Sequence, residues 1–389
     1  MSSHDPVTPN SPTDVLELLR DLVRIDTTNP GGNELAALKV LAEVFTTRGL
    51  QSVIDEYRPG NANLTVVIPF GDGPTVMLNS HIDVVPAGTG WASDPFDPQL
   101  RDGRLYGRGV ADAKGSLAAM VVAVLQLLDQ HEEISGTVVF TAVGDEEVGS
   151  TGARALVAQV APDACIVGEP TNMRLLTAHK GSVRPVIEIL GVAAHAATPQ
   201  NGENAITGAA QVVRLLGELA DELGKRDHPL TGGPSLTPVL VAGGEAPNAV
   251  PERCLITFDR RLVPGETDEQ ALTEVEAVLE MFNAQNPNLQ ASIYECAPST
   301  GGPSETPPTD PLVRDSQTAM SAIGENPEPS GLVVNCDMTT FRSAGIPTLI
   351  LGPGTLEVMH SRDEYVEVEQ LTRAVAAYRA ILTQLLRST

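Results

Sequence analysis

The chain has 389 residues, more than one hydrophobic core ordinarily organises, so two domains are expected. Its composition is globular, 42% hydrophobic and 19% charged, and 50 acidic side chains against 25 basic ones leave a formal net charge of −25. That balance argues against nucleic acid or an anionic membrane as partner, since both call for basic patches, and the longest apolar stretch, Leu117 to Leu128, is too short to span a bilayer.

The first ten residues are rich in Ser, Pro and Asn and are expected to be disordered, with no basic or apolar segment of a signal peptide. Asp14 and Glu17 have the spacing of a capping box, followed by Val15, Leu18, Leu19 and Leu22 on one helical face. A second helix is expected after Asn33, with Leu38, Leu41 and Phe45 inward and Gly49 as its stop. Strands are then expected at Leu64 to Phe70, Thr75 to Leu78, Thr137 to Val143 and Ala164 to Val167, with helices at Leu117 to His131 and Thr151 to Val160. Alternation of this kind implies a largely parallel sheet covered by helices.

After Gly181 the rhythm changes. Strands at Val183 to Val192, Leu236 to Ala242, Cys254 to Leu262 and Gln290 to Cys296 enclose helices at Ala205 to Leu223 and Asp268 to Phe282. The first of these helices carries Ile206, Ala209, Val213, Leu216 and Leu223 along one stripe. The order β-α-β-β-α-β is the split βαβ, ferredoxin-like unit, and it reads as a small α+β domain inserted into the larger one. A Pro/Gly/Ser/Thr stretch, Pro298 to Pro311, leads back to an α/β pattern that ends in a long amphipathic helix. The expected boundaries are 1–181 and 299–389 for the α/β domain and 182–298 for the insertion. Four cysteines spread over the chain without a CxxC pair read as reduced, buried thiols of a cytoplasmic protein.

Chemistry concentrates where strands of the larger domain end. The strand from Thr75 runs into Asn79, Ser80, His81 and Asp83, and a His with a carboxylate two residues on suits a metal ligand and its orienter. Tyr106-Gly-Arg-Gly-Val-Ala-Asp112-Ala-Lys-Gly115 lacks the spacing of either nucleotide-binding loop and reads as a tight turn that presents Asp112 ahead of a helix. Gly144-Asp-Glu146-Glu147-Val-Gly149 directly follows an apolar strand, as do Gly168-Glu169-Pro170 and Gly352-Pro-Gly-Thr-Leu-Glu-Val-Met-His360. Two histidines and several carboxylates at the strand ends of one sheet form the donor set of a divalent metal site, zinc foremost, with cobalt or manganese as alternatives. The donors outnumber what one ion needs, so two divalent ions bridged by a carboxylate are expected.

These segments together resemble the co-catalytic zinc amidohydrolase/peptidase family of acetylornithine deacetylase, succinyl-diaminopimelate desuccinylase, aminoacylase and glutamate carboxypeptidase, from about Leu16 to Leu385. The resemblance implies that His81 and Glu169 hold one ion, Glu147 and His360 the other, and that Asp112 bridges them. It makes Asp83 the orienter of His81 and Glu146 the general base. Ala113 stands where methionine is common after the bridging aspartate, which is not a ligand position. In the insertion, Ala194-His195-Ala-Ala-Thr-Pro199 matches a segment whose histidine reaches the active site of a neighbouring subunit, implying a homodimer paired through that domain. Asn248 and Arg261 match residues that bind the oxyanion and the substrate carboxylate; Arg suits the latter because it grips a carboxylate with two parallel hydrogen bonds. Strand alternation sends the neighbouring Arg260 to the opposite face. His4, His131 and His228 read as structural or solvated, and His179, beside the domain junction, is left without a role. The implied activity is hydrolysis of a small N-acyl amino acid, with a dipeptidase or carboxypeptidase on the same centre as the alternative.

Overall fold

The computed structural model describes residues 14–130 and 134–387; the Ser/Pro/Asn-rich start, His4 and His131 lie outside them. The chain divides into two compact units, one built from the chain up to Thr177, Thr306–Ser330 and the chain from Thr340 onward, the other from Ala178–Glu305 and Gly331–Thr339.

The first unit is α/β. Its sheet runs in the order Ser52–Arg58, Asn61–Pro69, Thr137–Val143, Thr75–His81, Ala164–Val167, Thr348–Ile350. The Thr75–His81 strand lies parallel to both neighbours, as does Thr348–Ile350 to Ala164–Val167, while the Ser52–Arg58 and Asn61–Pro69 strands add an antiparallel flank. Strands buried on both faces need continuous apolar runs, and Val76, Met77, Leu78, Val138 and Phe140 supply them. The helices Val15–Val23, Glu34–Thr46, Lys114–Gln130 and Val368–Leu385 close the core, with Phe45 and Phe140 rings 5.1 Å apart. Asp14 does cap the first helix, accepting from the Leu16 N–H at 2.8 Å, but no capping box forms, because Glu17 pairs with Arg20 at 2.6 Å instead.

A small three-stranded sheet, Gln99–Arg101, Arg104–Tyr106 and Tyr365–Glu367, was not foreseen from the sequence. Its strands are three residues each, too short to show a period.

The second unit is a four-stranded antiparallel sheet in the order Ser235–Gly243, Arg253–Leu262, Gly181–Leu190, Gln290–Ala297, with the helices Ala205–Leu223 and Asp268–Gln285 packed on it. A capping box at Thr267 and Gln270 starts the second helix. Two expectations need correction. Ile206 is exposed rather than buried, because the inward stripe is Ala205, Ala209, Val212 and Leu216, rotated from the one expected. Cys296 is exposed, lying on the edge strand of the sheet, whereas Cys165, Cys254 and Cys336 are buried. Among the described residues no helix is long and apolar enough to cross a membrane.

Candidate metal centre

The Thr75–His81 strand extends three residues beyond its apolar run, because its polar end is tied to both neighbours. The Thr141 hydroxyl donates to Asn79 Oδ1 at 2.9 Å and the Ser80 hydroxyl to the Gly168 carbonyl at 2.7 Å. His81 closes the strand and is buried, its Nδ1 2.9 Å from the main-chain oxygen of Asp83. That contact fixes a proton on Nδ1 and turns Nε2 toward Asp112 Oδ1 at 3.1 Å and Glu169 Oε2 at 3.8 Å, where it would become the ligand atom once a metal ion replaced its proton. The Asp83 carboxylate lies 3.6 Å from the same Nδ1, so both groups of this residue stand beside the ring and the carbonyl makes the closer contact.

The carboxylate is occupied elsewhere. Asp83 Oδ1 accepts from the Glu146 N–H at 3.1 Å; Oδ2 accepts from the Glu147 N–H at 3.2 Å and from Asn29 Nδ2 at 2.9 Å. Asp83 thus holds the loop that carries two candidate residues. Asp145 builds the same loop at a left-handed φ of 65°, bound by Asn29, Arg58 and Thr151. Nothing local in the sequence marks Asn29, whose partners are 54 and 116 positions away.

Asp112 ends the glycine-rich turn, and the Lys114–Gln130 helix starts directly after it. Gly109, at φ 85°, could not be replaced, since a Cβ there would come within 2.6 Å of Val84 Cγ1. Lys114, fully buried, donates to the Leu22 and Ile25 carbonyls at 3.0 Å each, which ties the turn to the end of the first helix; burial pushes its amine down to about 7.

The Asp112 carboxylate presents one oxygen to each histidine: Oδ1 lies 3.1 Å from His81 Nε2 and Oδ2 lies 3.1 Å from His360 Nε2. His360, half exposed and at φ 56°, also has Glu147 Oε2 3.0 Å away. The result is two flanks about one shared carboxylate, His81 with Glu169 and His360 with Glu147. Burial penalises the Asp112 charge, yet the two histidines outweigh it and hold the acid below its ordinary value. Burial, then the Asp112 charge, pushes Glu147 up to about 7. Hydrogen bonds to Asp112 and Glu147 raise His360 to about 10.

Metal ions fit this arrangement. Glu147 Oε1 is buried and makes no hydrogen bond, and the only partner of the buried Asp112 Oδ2 is the His360 ring at 3.1 Å. Three carboxylates converge on two imidazoles that are neutral as ligands, an anionic excess that burial penalises unless cations balance it. His81, Asp112 and Glu147 each offer an atom within 4.8 Å of the others. Imidazole and carboxylate together suit zinc, cobalt or manganese.

In the second unit, His195 pairs across a two-strand ladder with Ala249, and the Asn248 carbonyl accepts from the Ala196 N–H at 2.9 Å, so His195 and Asn248 are neighbours. His195 Nδ1 accepts from the Ala197 N–H at 3.0 Å, which places the ring proton on Nε2. Arg261 is held side-on by Asp259, at 2.6 Å from Nε and 3.3 Å from Nη2. Arg260 does point the other way, and it is the fully buried member of the pair, bonded to Glu266 at 3.0 Å and Glu274 at 3.3 Å. His179 is buried, its Nδ1 2.8 Å from the Lys180 carbonyl, and burial pushes its ring down to about 4, so it stays neutral.

A shared carboxylate between two histidine–carboxylate flanks, at the strand ends of an open α/β sheet, defines a metal-dependent hydrolase. Residues 77–384 match Peptidase family M20/M25/M40, and the chain belongs to that family. It is 35% identical to an acetylornithine deacetylase of Edwardsiella ictaluri (strain 93-146) over 364 residues, 90% of this chain and 89% of that one. A second acetylornithine deacetylase, from Pasteurella multocida (strain Pm70), is 30% identical over 348 residues, 85% and 86% of the two chains. The fold is shared with a crystal structure of a tripeptidase from Staphylococcus aureus subsp. aureus Mu50, at a TM-score of 0.81 and 23% identity, covering 96% of this chain and 98% of that one. The protein is thus a metal-dependent amidohydrolase.

Proposed function

We propose that the protein removes the acyl group from an N-acyl amino acid, as an enzyme of the acetylornithine deacetylase or succinyl-diaminopimelate desuccinylase type, with two divalent ions, zinc foremost. The 35% identity to an acetylornithine deacetylase supports the substrate class, and the Asp112 carboxylate, which turns one oxygen to His81 and the other to His360, supports the pair of ions. His81 and Glu169 would hold one ion, His360 and Glu147 the other, with Asp112 between them. Bound there, the ions would polarise the amide carbonyl and lower the pKa of a water from roughly 15.7 to about 7.

The chain's own residues do the rest. Glu146, buried and anchored through its N–H to Asp83, takes the proton of the attacking water and returns it to the leaving amine. His195 carries its proton on Nε2, the tautomer that can donate to an amide oxygen as negative charge grows there, and Asn248 beside it is a second donor. Arg261 pairs with the carboxylate of the substrate, its plane held by Asp259.

The second unit is taken as the inserted lid and dimerisation domain of a homodimer. Its Ser235–Gly243 strand lies at the sheet edge, with Val239, Leu240 and Val241 exposed next to Ile206, and a long apolar edge strand calls for a partner. Light scattering should report a dimer, and Leu240→Glu should weaken it; a wild-type monomer with full activity would end this part. The three buried thiols support a cytoplasmic location.

The decisive experiment is metal analysis together with turnover of N-acetyl, N-succinyl and N-formyl amino acids and of dipeptides. N-acyl amino acids should be hydrolysed and dipeptides spared; the reverse would make the enzyme a dipeptidase on the same centre.

A further inference from the structure

Glu364 is fully buried four residues after His360, and its carboxylate is saturated by donors from one short turn. Oε2 accepts from Arg108 Nη1 at 2.6 Å and from the Gly109 N–H at 3.0 Å. Oε1 accepts from the Ala111 N–H at 2.8 Å and the Asp112 N–H at 3.1 Å. The Glu364 carbonyl also accepts from the Gly107 N–H at 3.0 Å. The small sheet explains this meeting: Tyr365 pairs with Tyr106 and Glu367 with Arg104, so Glu364 emerges opposite the start of the glycine-rich turn.

We propose that Glu364 is a positioning residue that sets the spacing between Asp112 and His360, and so controls the ion held on the His360–Glu147 flank more than the one on the His81–Glu169 flank. The inference rests on the two-ion centre proposed above. Asp112 is fixed through its own N–H by Glu364, and His360 is carried by the same short segment as Glu364. By contrast His81 ends a strand of the central sheet, and Glu169 follows another. In Glu364→Gln one oxygen becomes an NH2 group. The remaining oxygen keeps the charge-assisted bond from Arg108, so the NH2 group faces the Ala111 and Asp112 N–H groups and releases the Asp112 peptide.

The test is titration of the metal-free protein with Co2+, followed by visible absorption, and with Zn2+ in a calorimeter. Wild type should bind two ions. Glu364→Gln should bind one of them roughly 10- to 100-fold more weakly, the range typical for loss of a group that orients a ligand, with a smaller change for the other. Glu364→Asp, one methylene short, keeps the charge but cannot span both sets of donors and should show the same selective loss; it serves if the Gln variant does not fold. Arg108→Met removes a donor from the same carboxylate without touching Asp112 and should leave both affinities within about threefold of wild type.

Unchanged binding of both ions in Glu364→Gln or Glu364→Asp would overturn the proposal. So would equal loss of both ions in the Glu364 and Arg108 variants, which would mark a purely structural residue. A wild-type protein that binds fewer than two ions would overturn the two-ion centre as well, an outcome distinct from the other two.

Discussion

Replacing Asp83 by Asn separates two ways of organising the centre. The substitution is nearly isosteric and leaves the main-chain oxygen, which is what meets His81 Nδ1, in place. Its side chain can adopt two orientations. With the amide nitrogen at the Oδ2 position, the bonds from Asn29 and the Glu147 N–H are both lost; at the Oδ1 position only the bond from the Glu146 N–H is lost. The second orientation is favoured, so the released residue is Glu146. Loss of one charge-assisted bond, two N–H groups set facing each other, and the weakening of two further bonds cost about 2–4 kcal/mol. Part of this is offset at Glu34, which burial and then the Asp83 charge raise to about 7; neutralising Asp83 relieves it. A domain stable by roughly 5–15 kcal/mol remains folded. Urea unfolding should therefore show a lower midpoint, metal analysis should show both ions retained, and turnover should fall steeply because Glu146 is misplaced. Loss of metal as severe as in a His81→Ala variant, with stability unchanged, would refute this and return the orienting role to the carboxylate.

Glu146→Gln should keep its metal and lose about 100- to 10,000-fold in turnover, measured on the substrate identified by the panel. His195→Ala should lower kcat by about 100- to 1,000-fold with metal content unaltered. In Gly352→Ala the new Cβ would sit 2.3 Å from Ser116 Oγ and 2.5 Å from the Glu169 carbonyl, so a stability loss of about 1–3 kcal/mol and weaker metal binding are expected by calorimetry. His360 has its folded value raised to about 10, so in metal-free protein its pair with Asp112, which stays ionised, stabilises the fold fully below the ordinary histidine value of 6.5 and fades as pH rises toward 10. Metal binding runs the opposite way: the ring must lose its proton, so affinity should rise with pH over the same range, with proton release visible as a buffer-dependent heat. A pH-independent affinity between 6.5 and 9 would contradict the raised His360 value.

Much of the centre is visible in the sequence because an open α/β sheet exposes the carboxyl ends of its strands. An apolar run followed at once by polar residues marks such an end by local pattern alone, and so His81, Glu146, Glu147 and Glu169 stand out, as does Asp112 within its glycines. The ferredoxin-like order was legible for a related reason, since its four strands and two helices are long enough to show their periods. What the pattern cannot carry is the identity of partners distant along the chain. That the Asp83 carboxylate serves Glu146 and Glu147, with Asn29 joining it, depends on three loops converging. That Glu364 grips the Asp112 turn depends on a small sheet whose strands are too short to leave a period. The burial of Arg260 and the exposure of Ile206 and Cys296 were likewise decided by which face each element turned to its neighbours. Local sequence determines which side chains stand at strand ends, because period and turn chemistry act over a few residues. Tertiary packing alone assigns each carboxylate its hydrogen bonds, because a buried charge must be satisfied by whatever donors the fold brings beside it.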